Sequence, residues 1–219
     1  MVALKLQPNE HRCAFTAILR RRLHRPMRFA SQRQMSRIKR CIYCGPSLYG
    51  AFPEPLKGEL WRPPAAQGDI LREVLHVKPR QVVLIDGTFF QTLSVFHKEL
   101  VFALLQGVVC IGAASMGALR AAEMHRYGMI GIGRIYERYR DGEEDDALVA
   151  GTFDPATYRP LVEPPVGNEL KRADALEAIA FARSYKGKVT TTLTADSISP
   201  FFERIVMKTL EQPYVKRFC

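Results

Sequence analysis

Two stretches decide the fold: Gln81-Val-Val-Leu-Ile-Asp86-Gly87 and Val108-Val-Cys-Ile-Gly112-Ala-Ala-Ser115-Met-Gly117. Each opens with a short, unbroken run of apolar and β-branched residues. Such a run fits a strand buried on both faces of a sheet, because a half-exposed strand would alternate. Between them, Ser94 reads as the cap of a helix running to Gln106, with Gly107 as its stop. A second helix is expected from Ser115 to about Arg126. Strand, helix, strand, helix with short connections is the pattern of a parallel sheet.

Working outward, Cys41–Cys44 is another short apolar strand, ending at the turn Gly45-Pro46-Ser47. Residues 52–66 carry Pro53, Pro55, Pro63 and Pro64 and read as an extended loop, followed by a helix from about Gly68 to His76. Downstream, Gly128–Gly133 reads as a turn, Arg134–Arg140 as a helix and Asp141–Asp146 as an acidic loop. Helices are expected over Asn168–Arg183 and Asp196–Leu210, with a strand-like segment at Val189–Thr194. The expectation is an α/β fold with a parallel-sheet, Rossmann-like three-layer core and additional C-terminal helices, forming a single domain over residues 39–219.

The formal charge of +10 belongs elsewhere. Residues 1–40 hold 11 Lys and Arg against one acid, Glu10, which leaves 21 charges of each sign in the other 179 residues. A basic binding face on the domain is therefore not implied, and no nucleic-acid partner is expected. The basic arm, residues 1–38, admits three readings: a disordered extension, a transit-like peptide, or upstream sequence with Met35 as the true first residue. The last is preferred, because the globular pattern begins just after Met35. Apolar runs fall short of the roughly 18 residues that a helical membrane span needs, so no membrane is expected. Five unevenly spaced cysteines argue against a disulfide framework and for a cytoplasmic, reducing setting.

In a parallel sheet, ligands bind beyond the carboxyl ends of the strands. Here those ends are Gly45-Pro46-Ser47, Asp86-Gly87 and Gly112-Ala113-Ala114-Ser115, which converge on one crevice if the strands are neighbours. The helix after Asp86 confines its polar residues His97, Lys98 and Glu99 to its start. A functional reading makes His97 an acid/base beside Asp86 and a strand-end serine, with Lys98 and Glu99 as binding charges. The plainer reading makes His97 a capping or surface histidine. Gly112 and Gly117 flank Ser115 in a turn of small residues, where helix N–H groups favour an anion or a developing oxyanion. The spacing GxxSxG is not that of a nucleophile elbow, and a serine N-cap with tight helix packing explains it equally well. Arg120 and Glu123 are spaced to pair, or Arg120 holds a carboxylate. Cys41 and Cys44 point to opposite faces of a strand and lack the further ligands zinc needs. The acidic run 143–146 lacks the residue order of a calcium loop. Neither a metal nor a cofactor is expected.

The residues also resemble a family. Cys44-Gly-Pro-Ser47-Leu48, Arg62-Pro-Pro-Ala65 with Gly68-Asp69, Ile85-Asp86-Gly-Thr-Phe89, His97-Lys98-Glu99 and above all Gly112-Ala-Ala-Ser115-Met-Gly117-Ala-Leu-Arg120-Ala-Ala-Glu123 are similar to the TfuA-like core domain. Gly128-Met129, the Gly131–Arg134 turn and Asp145-Asp146 continue the match, which is best over residues 40–150. Past Leu161 the chain departs from the family pattern, reading Glu163-Pro-Pro-Val-Gly-Asn-Glu169. The resemblance implies a setting like trifolitoxin biosynthesis, with a YcaO-family enzyme, a sulfur-carrier protein and a peptide or protein substrate as partners. It further implies an accessory role in backbone thioamidation, in the form of sulfide release from a carrier thiocarboxylate. On that expectation Ser115, His97 and Asp86 are catalytic, while Ser47, Lys98, Glu99, Gly112, Gly117, Arg120 and Glu123 bind substrate. The alternative is a non-catalytic module that recruits the carrier or supports the YcaO enzyme allosterically.

Overall fold

The computed structural model describes residues 38–88, 93–142 and 149–193. Five strands, β1 (Arg40–Tyr43), β2 (Glu59–Arg62), β3 (Gln81–Leu84), β4 (Val109–Ala113) and β5 (Ile130–Ile132), form one sheet. Every pairing is parallel and the order is β2-β1-β3-β4-β5. Among the described residues, five helices accompany it: α1 (Asp69–His76), α2 (His97–Leu105), α3 (Met116–Met124), α4 (Arg134–Arg140) and α5 (Asn168–Ser184). This is the expected three-layer, Rossmann-like α/β architecture.

The alternation of side chains along the strands sorts the core into two layers. Cys41, Tyr43, Val82, Leu84 and Cys110 turn to one face, where Ile70 and Val74 of α1, Leu100 and Leu104 of α2 and Ala121 and Met124 of α3 cover them. Ile42, Cys44, Val83, Ile85, Val109 and Ile111 turn to the other, under Ala175, Ala178, Ile179 and Ala182 of α5. Cys41 and Cys44 thus lie in different layers, both buried as free thiols.

Two strands lie where the sequence reads loop or turn. β2 sits between Pro55 and Pro63 at one edge of the sheet, and β5 is a glycine-interrupted strand at the other. Edge strands tolerate prolines and glycines that would break a central ladder. Val189–Leu193, by contrast, forms no strand: Thr191 and Thr192 instead donate hydroxyl hydrogen bonds to the carbonyls of Tyr127 and Arg126. The helix expected at Asp196–Leu210 and the basic arm, apart from Ile38, lie outside the described residues.

α5 runs antiparallel to the strands. Its C-terminal end meets their starts: Arg40 Nε donates to Ala182 O (2.9 Å), and Arg183 grips Glu59 through two bonds of 2.9 and 3.0 Å. Its first turns are therefore delivered to the carboxyl ends of the strands. None of the helices among the described residues is long and apolar enough to cross a membrane.

Candidate functional site

The strand order reverses direction between β1 and β3, since the chain leaves β1 for β2 on one side and returns to β3 on the other. A doubly wound sheet opens its ligand crevice at such a switch point. The turn after β1 and the end of β3 are tied together there. Asp86 Oδ2 accepts hydrogen bonds from the Gly45 N–H (2.7 Å) and the Ser47 N–H (3.1 Å), while Ser47 Oγ donates to Oδ1 (2.6 Å). Asp86 and Ser47 are almost fully buried. The carboxyl group is fixed in place, and the Ser47 hydroxyl is committed to holding it.

The next strand end adds Ser115. Ala114 takes a left-handed backbone, φ 66°, which costs an alanine about 1 kcal/mol or more. That kink turns β4 directly into α3. The neighbouring glycines explain why the turn is so tight. A Cβ on Gly117 would collide with the Leu84 carbonyl, and one on Gly112 with the Gly117 carbonyl. Their role in this structure is close packing of helix on sheet. The anion cradle expected of this turn is correspondingly occupied: Gly117 N–H donates to Ile85 O (3.1 Å) and Ser115 N–H to Ala113 O (2.9 Å). Ser115 stands at the N-cap position, yet its hydroxyl makes no capping hydrogen bond.

A cavity of about 240 Å³ opens over these strand ends. Pro46, Asp86, Gly87 and Ser115 line it from the sheet, and the segment 149–153 with Val162 walls it. Its basic member is Lys171, from the start of α5. That lysine is 4% exposed, and its Nζ donates to Val149 O over 3.4 Å, a long contact. Burial lowers the Lys171 pKa, and the negative charge of Asp86 acts in the opposite sense. Lys171 was not singled out in the sequence, although its position carries a signal. It falls on the same helical stripe as Ala175, Ala178, Ile179 and Ala182, where an apolar residue is expected.

The residues at the start of α2 assemble elsewhere. His97 Nε2 lies 2.8 Å from Glu123 Oε2, and Arg120 NH1 donates to the same oxygen at 2.6 Å. Arg120 also donates to Val95 O (2.8 Å) and Ser94 Oγ (3.1 Å). Burial would raise the Glu123 pKa, but His97 and Arg120 outweigh it and hold the carboxyl below its ordinary value. His97 is half exposed and is not among the residues lining the cavity. The expected pairing of His97 with Asp86 is therefore replaced by a pairing with Glu123. Ser94 serves as an acceptor for Arg120, and α2 starts at His97 instead of at Ser94.

Glu99 is not a solvent-facing binding charge. It is 3% exposed; Oε1 accepts from the Gly68 and Phe96 N–H groups and Oε2 from the Leu71 N–H. One carboxylate thus caps α2 and ties it to the start of α1. Burial pushes its pKa up to about 7 against the pull of those three donors. Lys98 is exposed. Among the described residues, no group of three or more His, Cys, Asp or Glu is placed to hold a metal ion.

Sheet, switch-point crevice and buried polar residues define an α/β protein with its candidate site at the carboxyl edge of a parallel sheet. The model of the TfuA-like protein family matches residues 86–202, just over half of the chain, and the chain belongs to that family. The match runs through the segment that supplies α5 and Lys171, well past residue 150. Membership supports a role in trifolitoxin-type, YcaO-associated pathways in general. No curated protein matches the chain.

Proposed function

We propose that the protein assists YcaO-dependent thioamidation of a peptide or protein backbone by releasing sulfide from the thiocarboxylate of a sulfur carrier. The reaction is hydrolysis: the carrier's C–S bond is replaced by a C–O bond, leaving a carboxylate and hydrogen sulfide. The observation that carries this reading is the cavity itself. It gathers an uncapped serine hydroxyl, a fixed carboxylate and a buried amine at the ends of adjacent strands. A hydroxyl nucleophile needs a neighbouring proton acceptor, and a departing sulfur is helped by a proton donor. We place the work in the cytoplasm, where the YcaO enzyme and the carrier meet it.

One observation favours a second reading, a non-catalytic module that recruits the carrier or supports the YcaO enzyme. The histidine at the start of α2 pairs with Glu123 outside the cavity and does not serve the serine. The test is sulfide release from a thiocarboxylated carrier by the wild type, Ser115→Ala and His97→Ala. The catalytic reading expects Ser115→Ala to lose about 100-fold or more in rate. Undiminished release in both variants overturns it and leaves the recruiting module.

A further inference from the structure

We infer that the amino edge of the sheet, at the starts of β2, β1 and β3, is a docking surface for an acidic protein segment that also carries aliphatic side chains. The inference goes beyond the hydrolytic reading and does not depend on it. The charges beyond residue 40 cancel in sum, yet not in place. Six exposed cations gather at this edge: Lys39, Lys57, Lys78, Arg80, Lys186 and Lys188. Backbone hydrogen bonds set them there. Lys39 N–H donates to Gly58 O (2.8 Å), Arg80 N–H to Lys39 O (3.0 Å) and Val109 N–H to Arg80 O (3.0 Å). Lys57, Lys39 and Arg80 thus stand in a row across three neighbouring strand starts. α5 ends beside them, since Gln81 Nε2 donates to Tyr185 O (3.2 Å) and Tyr185 Oη donates to Lys188 O (3.2 Å).

Counter-charges are scarce at the same edge. In the segments that meet there, 38–40, 54–59, 75–81 and 184–189, the acids are Glu54 and Glu59. Glu59 is buried, and its carboxylate is held by Arg183 through bonds of 2.9 and 3.0 Å, with Arg40 at 3.8 Å. Among the described residues, none of the six cations forms an ion pair. Cations after a helix complement its dipole, which accounts for Lys186 and Lys188 beyond α5 and Lys78 beyond α1. It does not account for Lys39, Lys57 and Arg80, which precede strands, where the backbone dipole is small. Like charges set on strands about 4.8 Å apart repel one another, and an anionic partner relieves that repulsion.

The chemistry of the patch selects the partner. Its cations are lysines except for Arg80, compact point charges that suit carboxylates, whereas a phosphate backbone is gripped best by the bidentate fork of arginine. Beside them stand Leu56, 50% exposed, and Leu75, 36% exposed, which offer aliphatic contact. Single-stranded bases stack on aromatic side chains, and the exposed aromatics among the described residues, Phe96 and Tyr127, belong to other segments. An acidic segment with leucine-like side chains matches both the charge and the apolar spots. Position separates this surface from the cavity: about 20 Å of α5 runs between Lys171 and Ser184 at the amino edge. A partner seated here leaves the cavity free for its own ligand.

The test is fluorescence anisotropy on the full chain with a labelled peptide of repeated Glu-Glu-Leu, a matching Glu-Glu-Ser peptide, and single-stranded and duplex DNA of equal charge. Expected is saturable, salt-sensitive binding of the Glu-Glu-Leu peptide, several-fold tighter than that of Glu-Glu-Ser or of either DNA. Lys39→Glu/Arg80→Glu should weaken it about 10-fold or more, because repulsion replaces attraction. Arg134→Glu/Arg159→Glu makes the same charge change on exposed residues away from this edge and should stay within about twofold of the wild type. If the reversal at the edge unfolds the chain by circular dichroism, Lys39→Gln/Arg80→Gln replaces it, and a weakening of about threefold is required. Equal binding by the edge and control variants overturns the docking surface, as does no binding of the Glu-Glu-Leu peptide. DNA bound more tightly than the peptide, and lost with the edge charges, overturns the protein partner in favour of a nucleic acid. Equal affinity for the Leu and Ser peptides overturns the part given to Leu56 and Leu75.

Discussion

The end of β3 and the start of α2 carry similar chemistry and treat it in opposite ways. At the end of β3, Asp86 is sealed in the interior with Ser47 against it and a sparsely bonded lysine facing it. At the start of α2, the exposed His97 and the buried Arg120 share Glu123, and Glu99 is consumed by backbone N–H groups. Residue type therefore does not separate a site from a scaffold. The separation lies in whether a buried polar group is left with hydrogen-bonding capacity beside open space.

Three substitutions sharpen that contrast. Asp86→Ala has the largest expected effect, since it strands two buried N–H groups and a hydroxyl, each costing about 1–3 kcal/mol. Urea unfolding should show a loss of roughly 3 kcal/mol or more, and an unchanged midpoint would break the claim that Asp86 fastens the two strand ends. Glu99→Gln comes next, at about 1–3 kcal/mol, because an amide cannot accept from all three donors. It also has a pH signature. The folded-state pKa of Glu99 lies above its unfolded value, so its stabilising share is complete below pH 4.5 and is lost as pH rises through about 7. Unfolding measured from pH 4 to 8 should show that decline in the wild type and not in Glu99→Gln. The smallest effect belongs to His97→Ala, which removes a half-exposed partner of Glu123; thermal unfolding should register about 0–1 kcal/mol. A large loss there would make the α2 cluster as essential to the fold as the strand-end cluster.

Much of this was legible in the sequence, for physical reasons. β1, β3 and β4 are central strands, so their apolar runs are unbroken and their ends fall where the sequence puts Asp86 and Ser115. β2 and β5 were hidden because edge positions accept the prolines and glycines that signal loops. The strand-like threonines near 190 join no strand and bond the α3–β5 connection instead. His97 was misplaced because spacing gives the sequence distance from Asp86, not which neighbour a helix's first turn faces; here α3, with Glu123, takes it. Lys171 was missed for a different reason. Its stripe on α5 is visible, but only the docked helix shows that the stripe begins over the cavity.

The placement of α5 also has a consequence for the order of assembly. Strands β2 to β5 each join a neighbour that precedes them in the chain, so the sheet grows as it is synthesised. One face is covered along the way by α1, α2 and α3. The other stays bare until residues 168–184 return across it, and the same event brings Lys171 to the strand ends. A nascent chain that has completed its sheet thus still exposes an apolar face, and its cavity is incomplete. Docking of a single helix ends both conditions at once.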